Sequence, residues 1–218
     1  MASLIQALFR SGAYTADAVP SLADEAGLTP EERAYIEPAV PKRRAEFATA
    51  RALARRGLVA LGLPPARLVP RSNRAPVWPA GVVGSISHTA DYCAVVVDRH
   101  PPIRSVGLDV ETLRIMGRDI IEHIATPRER AWLDGRGRVE RNDLALLLFS
   151  AKEAYYKCQY LLTGTFLDFP DVEIEVGLER GCFEARLVRP LPGPSVRRIE
   201  GKFAFCAGKV LCGVELVA

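Results

Sequence analysis

Histidine is scarce in this sequence, and paired cysteine motifs are missing altogether. The three histidines, His88, His100 and His123, do not stand at ligand spacing from the five cysteines. A structural zinc site is therefore not expected. Cys93, Cys158, Cys182, Cys206 and Cys212 are scattered, odd in number and without a Cys-x-x-Cys pair. That pattern fits reduced thiols in a cytoplasmic protein better than a disulfide framework. No run approaches the ~18 apolar residues that a membrane span requires. The apolar start, "MASLIQALFRSGAY", is short and no cleavage-type signal follows it. No glycine-rich run ends in Gly-Lys-Ser/Thr, which excludes a P-loop. A nucleophile elbow counted from Gly84 would need serine and glycine where Ile86 and His88 stand, so a hydrolase dyad is excluded as well.

What remains is an ordinary globular composition: 49% hydrophobic and 25% charged residues in a chain of 218. That length supports one large domain or two small lobes with a real core. Net charge is only +3, but it is unevenly spread. Residues 42–74 carry Lys42, Arg43, Arg44, Arg51, Arg55, Arg56, Arg67, Arg71 and Arg74 against one acid, Glu46. Such an excess suits an anionic partner: a phosphorylated small molecule, an acidic protein or nucleic acid. A solvated helix face followed by a basic loop gives the same composition.

Along the chain, "TPEERAYI" has a helix start, with Thr29 as N-cap and Pro30 in the first turn. Residues 41–56 form a helix pattern opened by Pro41, with Gly57 standing where a terminator would. Residues 82–87 and 92–98 read as strands around a turn. "RHPPIR", 99–104, reads as a linker, and "VGLDVE", 106–111, as a strand. "TPRER" opens another helix, and residues 143–162 continue as a long one with Asp143 as its cap. The tail alternates strand-like runs. The order predicts an α+β protein of two lobes, residues 1–98 and 105–218, each a small mainly antiparallel sheet with a packed helix.

Four constellations carry chemistry. Asp109 and Glu111 lie two apart on a strand and so share a face. They are either surface carboxylates or oxygen ligands for a hard divalent cation. In "FSAKEAYYK", Glu153 and Lys157 share a helix face at i and i+4. Alone they are an ordinary pair worth about 0.3–0.5 kcal/mol, but the preceding apolar run points them toward a core. In "GSISHTAD", Ser87 and His88 end a strand at a turn, where a hydroxyl, an imidazole and loop N–H groups can face an anion. Arg43 and Arg51 are eight residues apart, about 80° around a helix, and can lean into one cleft. With Arg71 and Arg74 they suit a nucleotide bearing several phosphates.

In order and spacing, "KRRAEFATAR", "RAPVWP", "GVVGSISHT", "SVGLDVE", "FSAKEAYYK" and "FLDFPDVEIE" resemble one family. It is the 4′-phosphopantetheinyl transferases, of the larger surfactin- and enterobactin-synthase-associated type. "GLDVE" and "FSAKEAYYK" match the family's G-[IL]-D-x-E and [FW]-[SC]-x-K-E-[AS]-x-x-K patterns, and coverage runs from about residue 41 to 176. The resemblance implies a pseudo-duplicated, monomeric two-lobe fold with coenzyme A in the cleft between the lobes. It implies transfer of 4′-phosphopantetheine from coenzyme A to a serine of an apo acyl or peptidyl carrier protein, releasing 3′,5′-ADP. Asp109, Glu111 and Glu153 look like Mg²⁺ ligands, Glu153 also the group accepting the serine proton, and Lys157 the cation on the pyrophosphate. Ser87, His88, Arg43 and Arg51 look like phosphate contacts, and Arg71, Ser72, Asn73 and Arg74 like the loop at the adenine end. Lys152 matches the pattern but lies about 100° from Glu153 around the helix, which implies a secondary role. Carrier contacts are expected at exposed apolar residues around 113–125, in polyketide, nonribosomal peptide, fatty acid or siderophore assembly. No nucleic acid and no stable membrane insertion are implied. The rival readings are another Mg²⁺-dependent phospho- or nucleotidyl transferase, and a non-catalytic nucleotide-binding module.

Overall fold

A computed structural model describes residues 3–10, 12–70, 76–189 and 196–218. The chain divides into two compact units, Met1–Ile103 with Ala218, and Arg104–Val217.

The first unit is a helix packed on a three-stranded sheet. Its strands are β1 (Tyr14–Ala18), β2 (Val82–His88) and β3 (Cys93–Arg99), ordered β1-β3-β2 and antiparallel throughout. β1 is an addition to the sequence reading: "YTADA" has no clean alternation, and its pairing with β3 makes it a strand. Thr29 caps α1 (Pro30–Ile36) in a full capping box with Glu32. α2 (Pro41–Ala60) lays Ala50, Leu53, Ala54 and Leu58 against Cys93, Val95 and Val97 of the central strand. Here the expected stop at Gly57 is wrong, because the helix runs through it to Ala60. A Cβ on Gly57 would lie 2.7 Å from Val97 Cγ2 and 2.8 Å from Tyr14 Cδ1. The glycine is there for close helix–sheet approach, not for termination.

The second unit is a five-stranded sheet in the order β4-β8-β7-β6-β5, crossed by one long helix. Its strands are β4 (Ile103–Thr112), β5 (Val172–Gly177), β6 (Cys182–Leu187), β7 (Arg198–Cys206) and β8 (Lys209–Val217). Arg99 therefore ends β3 while Ile103 and Arg104 begin β4, so His100–Pro102 alone turn between strands where a six-residue linker was expected. α3 (Arg118–Ile124) and α4 (Pro127–Asp134) precede α5 (Arg138–Thr163). Asp143 does not cap α5. The helix begins five residues earlier, after Gly137, and ends at Gly164 in the left-handed conformation. Leu144, Leu147, Ala151, Ala154, Tyr155 and Cys158 of α5 are buried in one core with Val172, Phe183, Ile199, Val210 and Val214 from the sheet. A helix apolar on most sides is one that a sheet and its neighbours enclose. Among the described residues no helix is long and apolar enough to cross a membrane.

Candidate active site

Side chains of β4 alternate, so Ser105, Gly107, Asp109 and Glu111 share one face. That face meets α5. Ser105 Oγ donates to Cys158 O at 2.7 Å. At Gly107 the two backbones come so close that a Cβ would lie 1.9 Å from Ala154 O. This contact brings α5 down onto the strand and sets the next residue on the face, Asp109, against the helix. Asp109 is 4% exposed, and its Oδ1 accepts from Lys157 Nζ at 2.7 Å. Lys157 Nζ also donates to Leu108 O at 3.1 Å. The apolar strand therefore carries acids because its α5 face is where a lysine and a third acid arrive.

Glu153 is half-buried, and its carboxyl is held above the ordinary carboxylate range by burial, with Lys157 opposing and Asp109 reinforcing. Glu111 is pushed up to about 7, first by burial and then by the negative charge of Asp109, with Glu153 adding to it. Arg114, 3.4 Å from Glu111 Oε2, and Lys157 offset only part of this. Asp109, Glu111 and Glu153 thus feel one another as expected from the sequence. They do not form a ready-made cage. Among the described residues no group of three or more His, Cys, Asp or Glu side chains is arranged to hold a metal ion. The donor chemistry does fit a hard divalent cation, since burial, with the negative charge of Asp109 adding to it, raises the proton affinity of Glu111 and Glu153.

The raised Glu111 value has a consequence for stability. A carboxyl whose folded pKa lies above its unfolded value favours folding least once both states are ionised. The penalty is absent below about pH 4.5, grows as pH rises and is complete above about pH 7. Glu111→Gln is therefore expected to stabilise the metal-free protein at pH 8 by about 1–2 kcal/mol, discounted for partial exposure. Thermal unfolding in chelator at pH 8 and pH 4.5 checks this. An advantage that fails to shrink at the lower pH contradicts the assignment.

A cavity of about 240 Å³ opens beside Glu153, lined by Lys152, Tyr156, Phe166, Leu167, Asp168 and Phe169. A larger one, about 630 Å³, is lined by Leu113–Met116 and by Arg138, Val139 and Arg141, with Ile115 and Val139 strongly exposed.

Lys152 faces inward. Its Nζ donates to Ile124 O at 2.7 Å, Glu129 Oε2 at 2.7 Å and Phe169 O at 3.1 Å. Burial lowers the ammonium's pKa, and Glu129 pulls it back. Glu129 was not singled out in the sequence. Only the Thr126–Glu129 capping box announced it, as the acid at the third helical position after a threonine cap.

In the first unit, the last residue of β2, His88, meets the first turn of α2. Arg43 Nη1 lies 2.5 Å from His88 Nε2 and 3.2 Å from Glu46 Oε2, and His88 Nδ1 lies 3.3 Å from the same oxygen. Ser87 beside them is buried. Arg51 departs from expectation. It is 5% exposed, its guanidinium lies 3.8 Å over the Phe47 ring, and its Nε donates to Leu68 O at 3.1 Å. Burial lowers its pKa to about 10. It does not lean out with Arg43 as the 80° spacing suggested, because the 63–70 segment covers that side of α2. Arg71, Ser72, Asn73 and Arg74 lie outside the described residues.

The chain belongs to the 4′-phosphopantetheinyl transferases. Residues 31–98 match the family model of the 4′-phosphopantetheinyl transferase N-terminal domain, and residues 105–192 that of the 4′-phosphopantetheinyl transferase superfamily. Among named relatives, it is similar to the 4′-phosphopantetheinyl transferase Svp of Streptomyces mobaraensis, 40% identical over 99% of this chain and 90% of that protein. PptT of Mycobacterium tuberculosis is 37% identical over 88% of each chain, and Npt of Nocardia iowensis 33% identical over 85% of this chain and 87% of its own. The enzyme class read from the ordered motifs is therefore confirmed.

Proposed function

We propose that this enzyme moves the 4′-phosphopantetheine of coenzyme A onto a serine hydroxyl of an apo acyl or peptidyl carrier protein, releasing 3′,5′-ADP. The observation that carries this reading is the convergence of Asp109, Glu111, Glu153 and Lys157 on one face between β4 and α5, in a chain of this family. Lys157 provides a cation for the pyrophosphate, where charge builds on the oxygen of the leaving 5′-phosphate as the P–O–P bond breaks. Glu153, whose carboxyl burial holds above the ordinary range in the metal-free protein, accepts the serine proton directly or, where a bound cation weakens it as a base, through a water. Asp109, Glu111 and Glu153 would hold Mg²⁺, which when bound supplies positive charge to the pyrophosphate oxygens.

The slot beside Glu153 has the aromatic lining and the size suited to the uncharged pantetheine arm. On the first unit, Arg43 and His88, with Ser87 beside them, serve the phosphates at the nucleotide end, as do Arg71–Arg74. Arg51 contributes there mainly by fixing the 63–70 segment and the α2 surface. The apolar and arginine-lined cavity around Leu113–Met116 and Arg138–Arg141 suits an acidic carrier with an apolar contact patch. The five thiols, none of them in a disulfide, fit a cytoplasmic setting. We read the enzyme as a monomer.

The test is direct. Incubation with coenzyme A, Mg²⁺ and apo carrier proteins from fatty acid, polyketide and nonribosomal peptide systems should add one phosphopantetheine mass to a carrier serine. No mass gain on any carrier sinks the reading, and release of AMP or of inorganic phosphate instead would favour a different phosphotransferase.

A further inference from the structure

Glu46 is the single acid in the basic stretch 42–74, and it is 6% exposed. A buried carboxylate in a region read as an anion site is unexpected on charge alone, because it opposes the field that would attract phosphate. Its surroundings explain it. One oxygen, Oε2, faces both Arg43 Nη1 at 3.2 Å and His88 Nδ1 at 3.3 Å. Arg43 Nη1 in turn lies 2.5 Å from His88 Nε2. The donors can be assigned from these partners. Arginine has only N–H groups to offer, so Nε2 must be bare and accepting. A carboxylate only accepts, so Nδ1 must carry the hydrogen. Arg43, Glu46 and His88 thus touch one another pairwise. Cys93, the strand partner of His88, has its thiol pushed up to about 12 by burial, and it is close enough for Glu46 to add to that and Arg43 to oppose it.

We propose that Glu46 is a positioning residue of the coenzyme A site, fixing the tautomer of His88 and the direction of Arg43 for a phosphate at the nucleotide end. This rests on the coenzyme A reading above. Arg43 and His88 come from different elements, a helix start and a strand end, and nothing in their sequence positions alone sets their mutual angle. The shared oxygen does. Arg43 is 41% exposed at its side chain, so without a fixed partner its guanidinium would sample many rotamers and lose that freedom on binding. Holding it in advance reduces that entropic loss.

The sign of the effect separates positioning from plain charge. If Glu46 acts only through the field, neutralising it tightens coenzyme A binding. If it positions, binding weakens. Glu46→Leu is expected to raise the dissociation constant of coenzyme A roughly 10-fold, and Glu46→Gln, which keeps an oxygen for Nδ1–H, to raise it less. The loss should appear in KM for coenzyme A more than in kcat, because ground-state phosphate contacts are kept in the transition state. With only three histidines, ¹⁵N NMR can follow His88 in the ligand-free protein. Wild type should show the Nδ1–H tautomer, and Glu46→Leu a shift toward Nε2–H. Tighter or unchanged binding in both variants, with folding confirmed by thermal unfolding, overturns the proposal. So does an Nε2–H tautomer in wild type. Failure of wild type to bind coenzyme A would overturn the functional reading instead, while the tautomer shift in Glu46→Leu would still be seen.

Discussion

Asp109→Ala and Glu153→Ala should each cut phosphopantetheine transfer by at least ~10³-fold, about 4 kcal/mol of transition-state stabilisation. The two losses have different physical origins. Asp109 is enclosed between β4 and α5 and holds Lys157 Nζ at 2.7 Å. On the proposed reading its removal takes away a cation ligand, and it also removes the carboxylate that holds Lys157 Nζ, so the ammonium is less firmly aimed. Glu153 makes no such clamp. On the proposed reading its loss removes the proton acceptor and a second ligand, and Glu153→Gln, which keeps shape and loses basicity, should be nearly as damaging as alanine. Coenzyme A affinity should fall far less than rate in all three variants, because Arg43 and His88 sit on the other unit. A non-catalytic binding module predicts no transfer even in wild type. Residual transfer within ~10-fold of wild type for Glu153→Gln would take the base role away from it and assign proton transfer to water. Rates should be measured by carrier mass gain at saturating Mg²⁺, with coenzyme A affinity by calorimetry in parallel.

How far the sequence reaches is best seen residue by residue. Local signals were dependable where the deciding physics is local. Thr29 and Thr126 cap helices as their spacing to Glu32 and Glu129 demands. The period-two pattern of "VGLDVE" put both acids on one face, and "FSAKEAYYK" put Glu153 and Lys157 on another. What the letters could not show is which faces meet. Gly57 reads as a helix end until Val97 and Tyr14 are seen against it. Gly107 sits inside a plain strand and turns out to be the point where α5 touches β4. Arg51 reads as a phosphate ligand by spacing alone, yet Phe47 and Leu68 O enclose it. Asp143 resembles a cap only because the first turn of α5, Arg138–Asn142, has no apolar periodicity of its own. At Gly57, Gly107 and Arg51 the deciding fact is a tertiary contact.

Lys152→Ala is expected to destabilise the second unit by about 3–5 kcal/mol, since it strands a buried carboxylate. For a chain of this size that corresponds to a fall in Tm on the order of 10 °C. Lys152 and Glu129 are each only 2% exposed at the side chain and 2.7 Å apart. Among the described residues the charged groups of the pair are fully used. Lys152 uses its three hydrogens on Glu129, Ile124 O and Phe169 O. Glu129 Oε2 also accepts from Thr126 N, and Oε1 accepts from Ile174 N, both at 2.7 Å. One ion pair thus ties α4, α5, the α3–α4 turn, the segment before β5 and β5 itself. Removing the lysine leaves two carbonyls and a charge without their partner. Lys152→Met should recover some packing but not the charge. Glu129→Gln in the same background should recover more, because it removes the stranded charge and retains an oxygen for Ile174 N. Full recovery is not expected, since the amide nitrogen would then face Thr126 N–H, donor against donor. The double variant should therefore be more stable than Lys152→Met alone yet remain below wild type, a coupling readable from a thermal double-mutant cycle. Because Glu153 is the next residue on α5, activity below the unfolding temperature reports separately on whether the anchor also aims the carboxyl proposed as the base. A Tm within 3 °C of wild type for Lys152→Ala would show that water enters and solvates Glu129, and that the pair is not what holds α5 in place.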